Sequence, residues 1–253
     1  MAGPQKKYLS RLTFREVEQE LSRLPALILP LGGCEPYGTC GCLGAATACA
    51  EALATALSEK TDILYAPALP FGCSTAYGAF GGTAGVKPRT MTNILGETIR
   101  RWYLQGFRTV IIIDCLFDNN EAVDASIRRL KNSNPGMKII TFSLQRDERV
   151  RAFIARHVQG KEFGRTEYGM LSLAASIDPA LVRQTGKKDA ADTDRYETWR
   201  RRGADPEQYR KLFPDCSSSN AAHRFDPDFG KELFNFIVQL LVDTTKPHLP
   251  THH

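Results

Sequence analysis

Apolar residues recur at helical spacing at Phe14, Val17, Leu21 and Leu24, with Thr13 placed to cap them, and predict a helix over 14–23 that Pro25 ends. ALILPL (26–31) is apolar throughout and reads as a short buried strand. Residues 44–58, GAATACAEALATALS, predict a helix with a small-residue face suited to close packing on a sheet. A second strand is expected over 62–69, followed by the glycine-rich loop PFGCSTAYGAFGGTAGVKP and a helix over 90–104 that Gly106 stops as a C-terminal cap. The β-branched run in FRTVIIIDC is the mark of a strand buried on both faces of a parallel sheet. A helix over 119–131, the strand MKIITFSL and a helix over 146–158 continue the alternation.

Strand and helix alternating from residue 26 to 158 imply a single α/β domain, with a mostly parallel sheet flanked by helices on both faces. Beyond 158 the pattern loosens. It allows a helix near 169–177, a polar loop over 183–205, a short helix near 206–213, a final amphipathic helix over 228–242 and a frayed tail from 247 to 253.

Composition narrows the function classes. The chain has 253 residues, 42% hydrophobic and 24% charged, enough to bury a sizeable core. Its net charge of +5 is mild, and the run Arg200, Arg201, Arg202 reads as a solvated loop. No basic stripe with interleaved aromatics argues for nucleic acid, and no apolar stretch has the length of a membrane span. An N-terminus without an apolar core and an odd count of seven cysteines point to a cytoplasmic protein with free thiols.

Candidate chemistry gathers in LPLGGCEPYGTCGCLG (29–44), a strand-to-helix loop with Cys34, Glu35, Tyr37, Cys40 and Cys42. Cys73 follows the second strand and Cys115 the third, and a parallel sheet brings all three loops to one edge. Three readings stand side by side. Thiolates of Cys34, Cys40, Cys42 or Cys115 with Glu35 suit a soft metal, although no Cys-x-x-Cys pair exists. Alternatively, Cys115 ahead of a helix N-terminus has its pKa lowered, with Glu35 or Asp118 carrying the proton. The third reading makes the cysteines small hydrophobes that fill space, as Cys49 and Cys216 do. Tyr37 and Tyr77 stand either as packed aromatics or as donors to a substrate. Asp114 is either a site carboxylate or a loop cap, and Trp199 either covers a pocket or fills a core. Gly78, Gly81, Gly82 and Gly85 lack the lysine of a phosphate loop and are read as turn residues.

The segments LTFREVEQEL, PLGGCEPYGTCGCLG, PFGCSTAYGAFGGT, PRTMTNIL, GFRTVIIIDCLFDNN, LSLAASIDPALV and DPDFGKELFNFIVQLL, in this order and spacing, resemble the creatininase (creatinine amidohydrolase) family. The resemblance implies that family's fold, a closed homo-oligomer such as a hexamer, and amide hydrolysis at two divalent metals beside the strand ends. It also implies where the ligands belong. Glu35 matches a glutamate ligand and Asp118 a carboxylate one, but Tyr37 and Leu116 replace histidines and Ala46 replaces an aspartate. Arg165 and Met170 stand at a later histidine and glutamate, with Glu167 one residue from an acidic position. The residues agree with this loss. Of the five histidines (His157, His223, His248, His252 and His253), only His223 falls in a plausible loop. An imidazole-rich centre needs several.

The expectation is therefore an amidohydrolase-like enzyme without cofactor or the usual dinuclear metal centre. It would hydrolyse, open or close a C–N bond in a small polar molecule. Glu35, Cys115 and Asp118 are the expected catalytic groups, and Cys34, Tyr37, Cys73, Tyr77 and Glu167 the substrate contacts. The alternative is a catalytically inactive homologue serving as a binding or assembly subunit.

Overall fold

ALILPL, with no polar side chain to satisfy, becomes strand β1 (Ala26–Leu31), buried along its whole length. TVIIID becomes β3 (Thr109–Asp114), equally buried, and the two pair in parallel from Ala26 opposite Thr109 to Leu31 opposite Asp114. The computed structural model, which describes residues 7–158, 165–183, 193–201, 205–217 and 224–249, adds β2 (Leu64–Tyr65) beside β1 and β4 (Lys138–Ser143) beside β3. The sheet order is β2-β1-β3-β4, parallel throughout.

β2 is shorter than the expected 62–69. Pro67 has no N–H to give to a ladder, which ends the regular pairing. The chain still follows β1, since Ala66 N–H donates to the Ile28 carbonyl at 2.8 Å and Leu69 N–H to the Pro30 carbonyl at 3.1 Å.

Side chains alternate across the strands and split the core into two layers. Ile28, Ile111 and Ile113 pack with helices α2 (Ala45–Thr61), α5 (Glu148–Val158), α6 (Arg165–Ile177) and α9 (Pro227–Thr245). Leu27, Leu29, Val110 and Ile112 pack with α1 (Phe14–Arg23), α3 (Pro88–Gln105) and α4 (Asn120–Ser133). Local chemistry sets several of the ends. Thr13 and Glu16 form a reciprocal capping box at α1, and Gly106 closes α3 at φ 113°, a conformation that costs glycine least. The contact of α9 with α6 also depends on a glycine. A Cβ at Gly230 would lie 2.0 Å from the Ser172 carbonyl oxygen.

The connection from β1 to β2 runs through α2 on one face. That from β3 to β4 runs through α4 on the other. The loops after β1 and β3 therefore diverge at mid-sheet, and this switch point is where open α/β sheets leave a crevice.

In the C-terminal third, α6 begins at Arg165, earlier than the sequence indicated. Part of the expected polar loop is helix α7 (Thr193–Arg201), which precedes α8 (Pro206–Leu212). TDRYETWRR has too few apolar positions for a period to show. Its Tyr196 and Trp199 instead pack with Tyr209, Phe213, Tyr77 and Phe80 in a separate aromatic cluster. Trp199 is a buried member of that cluster, and its indole N–H donates to the Asp205 carbonyl at 2.7 Å. Part of the stretch expected as a frayed tail is ordered. Lys246–His248 forms a 3-10 turn and Leu249 packs on the core, while 250–253 and His223 lie outside the described residues. Among the described residues no helix is long and apolar enough to cross a membrane.

Candidate active site

Three loops leave the C-terminal ends of β1, β2 and β3, and one side chain bolts them together. The Asn119 amide donates to the Gly32 carbonyl at 3.2 Å and to Asp114 Oδ1 at 3.0 Å, and its oxygen accepts from Cys73 N–H at 2.9 Å. Thr47 of α2 adds a second tie. Its hydroxyl accepts from Gly33 N–H at 3.2 Å and donates to the Gly33 carbonyl at 3.1 Å. Glu35 N–H donates to the Leu43 carbonyl at 3.1 Å, so the first loop folds back on itself and carries the Glu35 side chain inward, to 7% exposure.

Burial disfavours the ionised form of that carboxyl and pushes its pKa up to about 8. The negative charges of Asp118 and Glu167 push in the same direction, while the nearby Ser74 and Tyr37 hydroxyls pull it down. Neither hydroxyl achieves a well-formed hydrogen bond. Glu35 Oε2, the Tyr37 hydroxyl and the Ser74 hydroxyl are all buried without a partner. Such groups are uncommon in a folded interior and mark a place where something polar belongs. Tyr77 shares the neighbourhood. Its phenol pKa is raised by burial first, then by Glu35, Asp118 and Tyr209. Asp118 and Glu167 are half-buried. The tertiary structure thus places Tyr37, Tyr77, Asp118 and Glu167 within electrostatic reach of Glu35, and adds Ser74.

The thiols behave differently from the expectation. Cys115 is fully buried, and burial holds its pKa well above the ordinary value, with Cys49 and Asp114 adding to the effect. The lowering by a helix N-terminus fails because a 3-10 turn, Phe117–Asn119, intervenes before α4 starts at Asn120. Cys115 is a core thiol whose burial favours the protonated form. The exposed edges of the loops hold two thiols with carbonyl partners of their own. Cys34 donates to the Gly82 carbonyl at 3.3 Å and Cys42 to the Ala180 carbonyl at 3.4 Å. Burial raises Cys40 to about 11 and Cys73 to about 12. Asp114 is a loop cap, accepting from Leu116 N–H at 3.1 Å as well as from Asn119.

At the positions where the resemblance puts metal ligands, the described residues offer few donors. Ala46, Leu116 and Met170, at three positions where the resemblance puts ligands or catalytic groups, are apolar and essentially fully buried. Leu116 fills the space against Gly33 and Gly72, at 2.7 and 2.2 Å from where their Cβ atoms would be. Among the described residues no group of three histidine, cysteine, aspartate or glutamate side chains is arranged to hold a metal ion.

Sequence reasoning missed Ser74 and Asn119, polar residues in the loops that follow β2 and β3. Cys216, read as a space-filling thiol, packs in the aromatic cluster. It is buried, and after burial itself the charges of Glu35 and Glu167 raise its pKa, which places it near the carboxylates from a distant part of the chain.

Comparison with known proteins follows the same line. A family model described as creatininase, creatinine amidohydrolase, matches residues 10–245. Creatinine amidohydrolase of Pseudomonas putida is 23% identical over 134 residues, a match that spans 49% of this chain and 52% of that enzyme, about half its length. Among solved structures, a tryptophan-to-phenylalanine mutant of creatininase superposes with a TM-score of 0.78 at 20% identity, covering 96% of this chain and 99% of that one. Manganese creatininase gives 0.77 at 20% identity, covering 97% and 99%. A glutamate-to-glutamine mutant creatininase complexed with creatine gives 0.76, also at 20% identity and covering 97% and 99%.

Proposed function

This chain belongs to the creatininase family, and from that premise we propose that it is an amidohydrolase-like enzyme acting on a C–N bond of a small polar molecule without the two-metal centre. The observation that carries the reading is Glu35, a buried carboxyl with a partnerless oxygen beside two further carboxylates at the sheet's switch point. With its pKa pushed up to about 8, Glu35 holds a proton at neutral pH and gives it to the departing nitrogen as the C–N bond breaks. Asp118, half-buried and close enough to raise the Glu35 pKa, takes the proton of the attacking water, and exchange with solvent restores both groups. The Tyr37 and Ser74 hydroxyls, with hydrogens to give, steady the oxygen on which charge develops. Ring closure would run through the same groups in reverse.

The test is a panel of five- and six-membered cyclic amides and ureas incubated with purified protein, with and without a chelator, and followed by mass spectrometry. Turnover of at least one compound, unchanged by the chelator, is expected. Activity that the chelator removes would return a metal to the site. Binding without turnover across the panel would favour the inactive homologue. The proposal extends to assembly as a closed homo-oligomer. Light scattering should give a multiple of 28.1 kDa, and a monomer mass at all concentrations would refute it.

A further inference from the structure

Helices α3 and α4 pack closely, yet a cavity of about 280 Å³ opens between them. It lies two to three turns along both helices from the catalytic loops. Gly96 is eight residues past Pro88, ~12 Å at the rise of an α-helix. Arg100 and Arg101 of α3 and Arg129 of α4 line it, with Glu97 as its one carboxylate. None of these three arginines has an ion-pair partner among the described residues, whereas Arg23, Arg146 and Arg149 each face one. Arg129 makes a single long contact, donating to Asn93 Oδ1 at 3.4 Å.

The other lining residue of note is Gly96. Glycine inside a helix is destabilising relative to alanine, so its presence calls for a reason. Packing supplies none, because a Cβ at Gly96 would meet no atom within 4 Å. The missing side chain keeps the cavity open. Basic residues toward a helix C-terminus do complement the helix dipole, but that role requires neither a cavity nor a glycine. The Leu130 carbonyl in the last turn of α4 already has partners, since the Asn134 backbone and side-chain N–H groups both donate to it, at 2.8 and 3.2 Å.

We propose that this cleft is a second binding site, separate from the Glu35 pocket, which takes a small phosphate-bearing anion. Three uncompensated guanidiniums against one carboxylate suit a multiply charged oxyanion, whose geometry the planar guanidinium fork matches. The volume suits a phosphate or pyrophosphate group rather than a polymer.

Isothermal titration of the full-length protein with pyrophosphate and with inorganic phosphate, at constant ionic strength set by chloride, tests this. Saturable binding of at least one, at one site per chain, is expected. Arg101→Ala and Arg129→Ala should each weaken it by roughly tenfold or more, the scale of one charge-assisted hydrogen bond. Gly96→Leu should fill the cavity and abolish binding while leaving the thermal unfolding temperature unchanged or higher. Absence of saturable binding in the wild-type protein, or equal affinity in wild type and Gly96→Leu, overturns the proposal. Turnover at the Glu35 site is not part of this readout, so failure here leaves the catalytic reading untouched.

Discussion

Glu35→Gln is expected to lower turnover by roughly a hundredfold or more, the usual scale for a general acid–base group, while the protein folds normally. Glutamine keeps the shape of the side chain and its position behind the Asn119 and Thr47 ties, but has no proton to transfer. The wild-type rate should itself report this proton. Glu35 has its pKa pushed up to about 8, so kcat should hold across neutral pH and fall as pH rises through that value. The variant's residual rate should lack that limb. Steady-state kinetics between pH 6 and 10 on whichever amide the wild type turns over would decide it. Unchanged turnover removes Glu35 from the chemistry.

The same burial has a consequence for stability, of the order of several kcal/mol. Glu35 rises from 4.5 to about 8 on folding and Asp114 from 3.8 to about 7, both chiefly through burial. For carboxyls raised in this way the folded state binds more protons than the unfolded chain. Their contribution is fully present below the unfolded values and is lost as pH climbs through the folded ones. Stability should therefore decline from about pH 5 to pH 8, unusually for carboxylates. Glu20 and Asp147 carry the opposite sign. Arginine and lysine partners or backbone N–H groups lower their pKa, so their contribution is lost on acidification instead. Urea unfolding should show its highest midpoint near pH 5. Glu35→Gln and Asp114→Asn, which remove one raised carboxyl each, should flatten the alkaline decline and stabilise the protein at pH 8. A midpoint that is flat or rises between pH 5 and pH 8 would contradict the buried environment assigned to both groups.

Legibility of the fold followed how strongly each segment's own pattern spoke. ALILPL and TVIIID lack any polar side chain but the terminal threonine and aspartate, so only a strand buried on both faces suits them. The caps at Thr13 and Gly106 were readable for a similar reason, since their chemistry is contained within a few neighbouring residues. Helix α7 was not readable. Its stability comes from Tyr196 and Trp199 meeting Tyr209, with the Trp199 and Tyr209 ring centroids 4.7 Å apart, across a break that periodicity does not span. The shortened β2 shows the converse limit. DILYAPAL has the composition of a strand, and the one residue without an N–H decided how long it stayed one.

For the site, the sequence by itself determined that Glu35, Tyr37 and Asp118 sit in loops at strand ends. It also determined that Tyr37 and Leu116 stand where the resemblance puts histidines, because both readings follow from residue identity and the alternation of strand and helix. Only the tertiary structure decided how deeply each of these groups is buried and which charges lie near it. Reactivity depends on solvent exclusion and on charges brought in from elsewhere, and neither is written in local spacing. Cys115 and Glu35 both lie in loops that follow neighbouring parallel strands, and both are buried. For the thiol, burial favours the protonated form, which weakens a nucleophile because only the thiolate attacks. For the carboxyl, the same loss of solvent, reinforced by Asp118 and by Glu167 arriving on α6, raises the pKa in the direction that the proposed acid role requires.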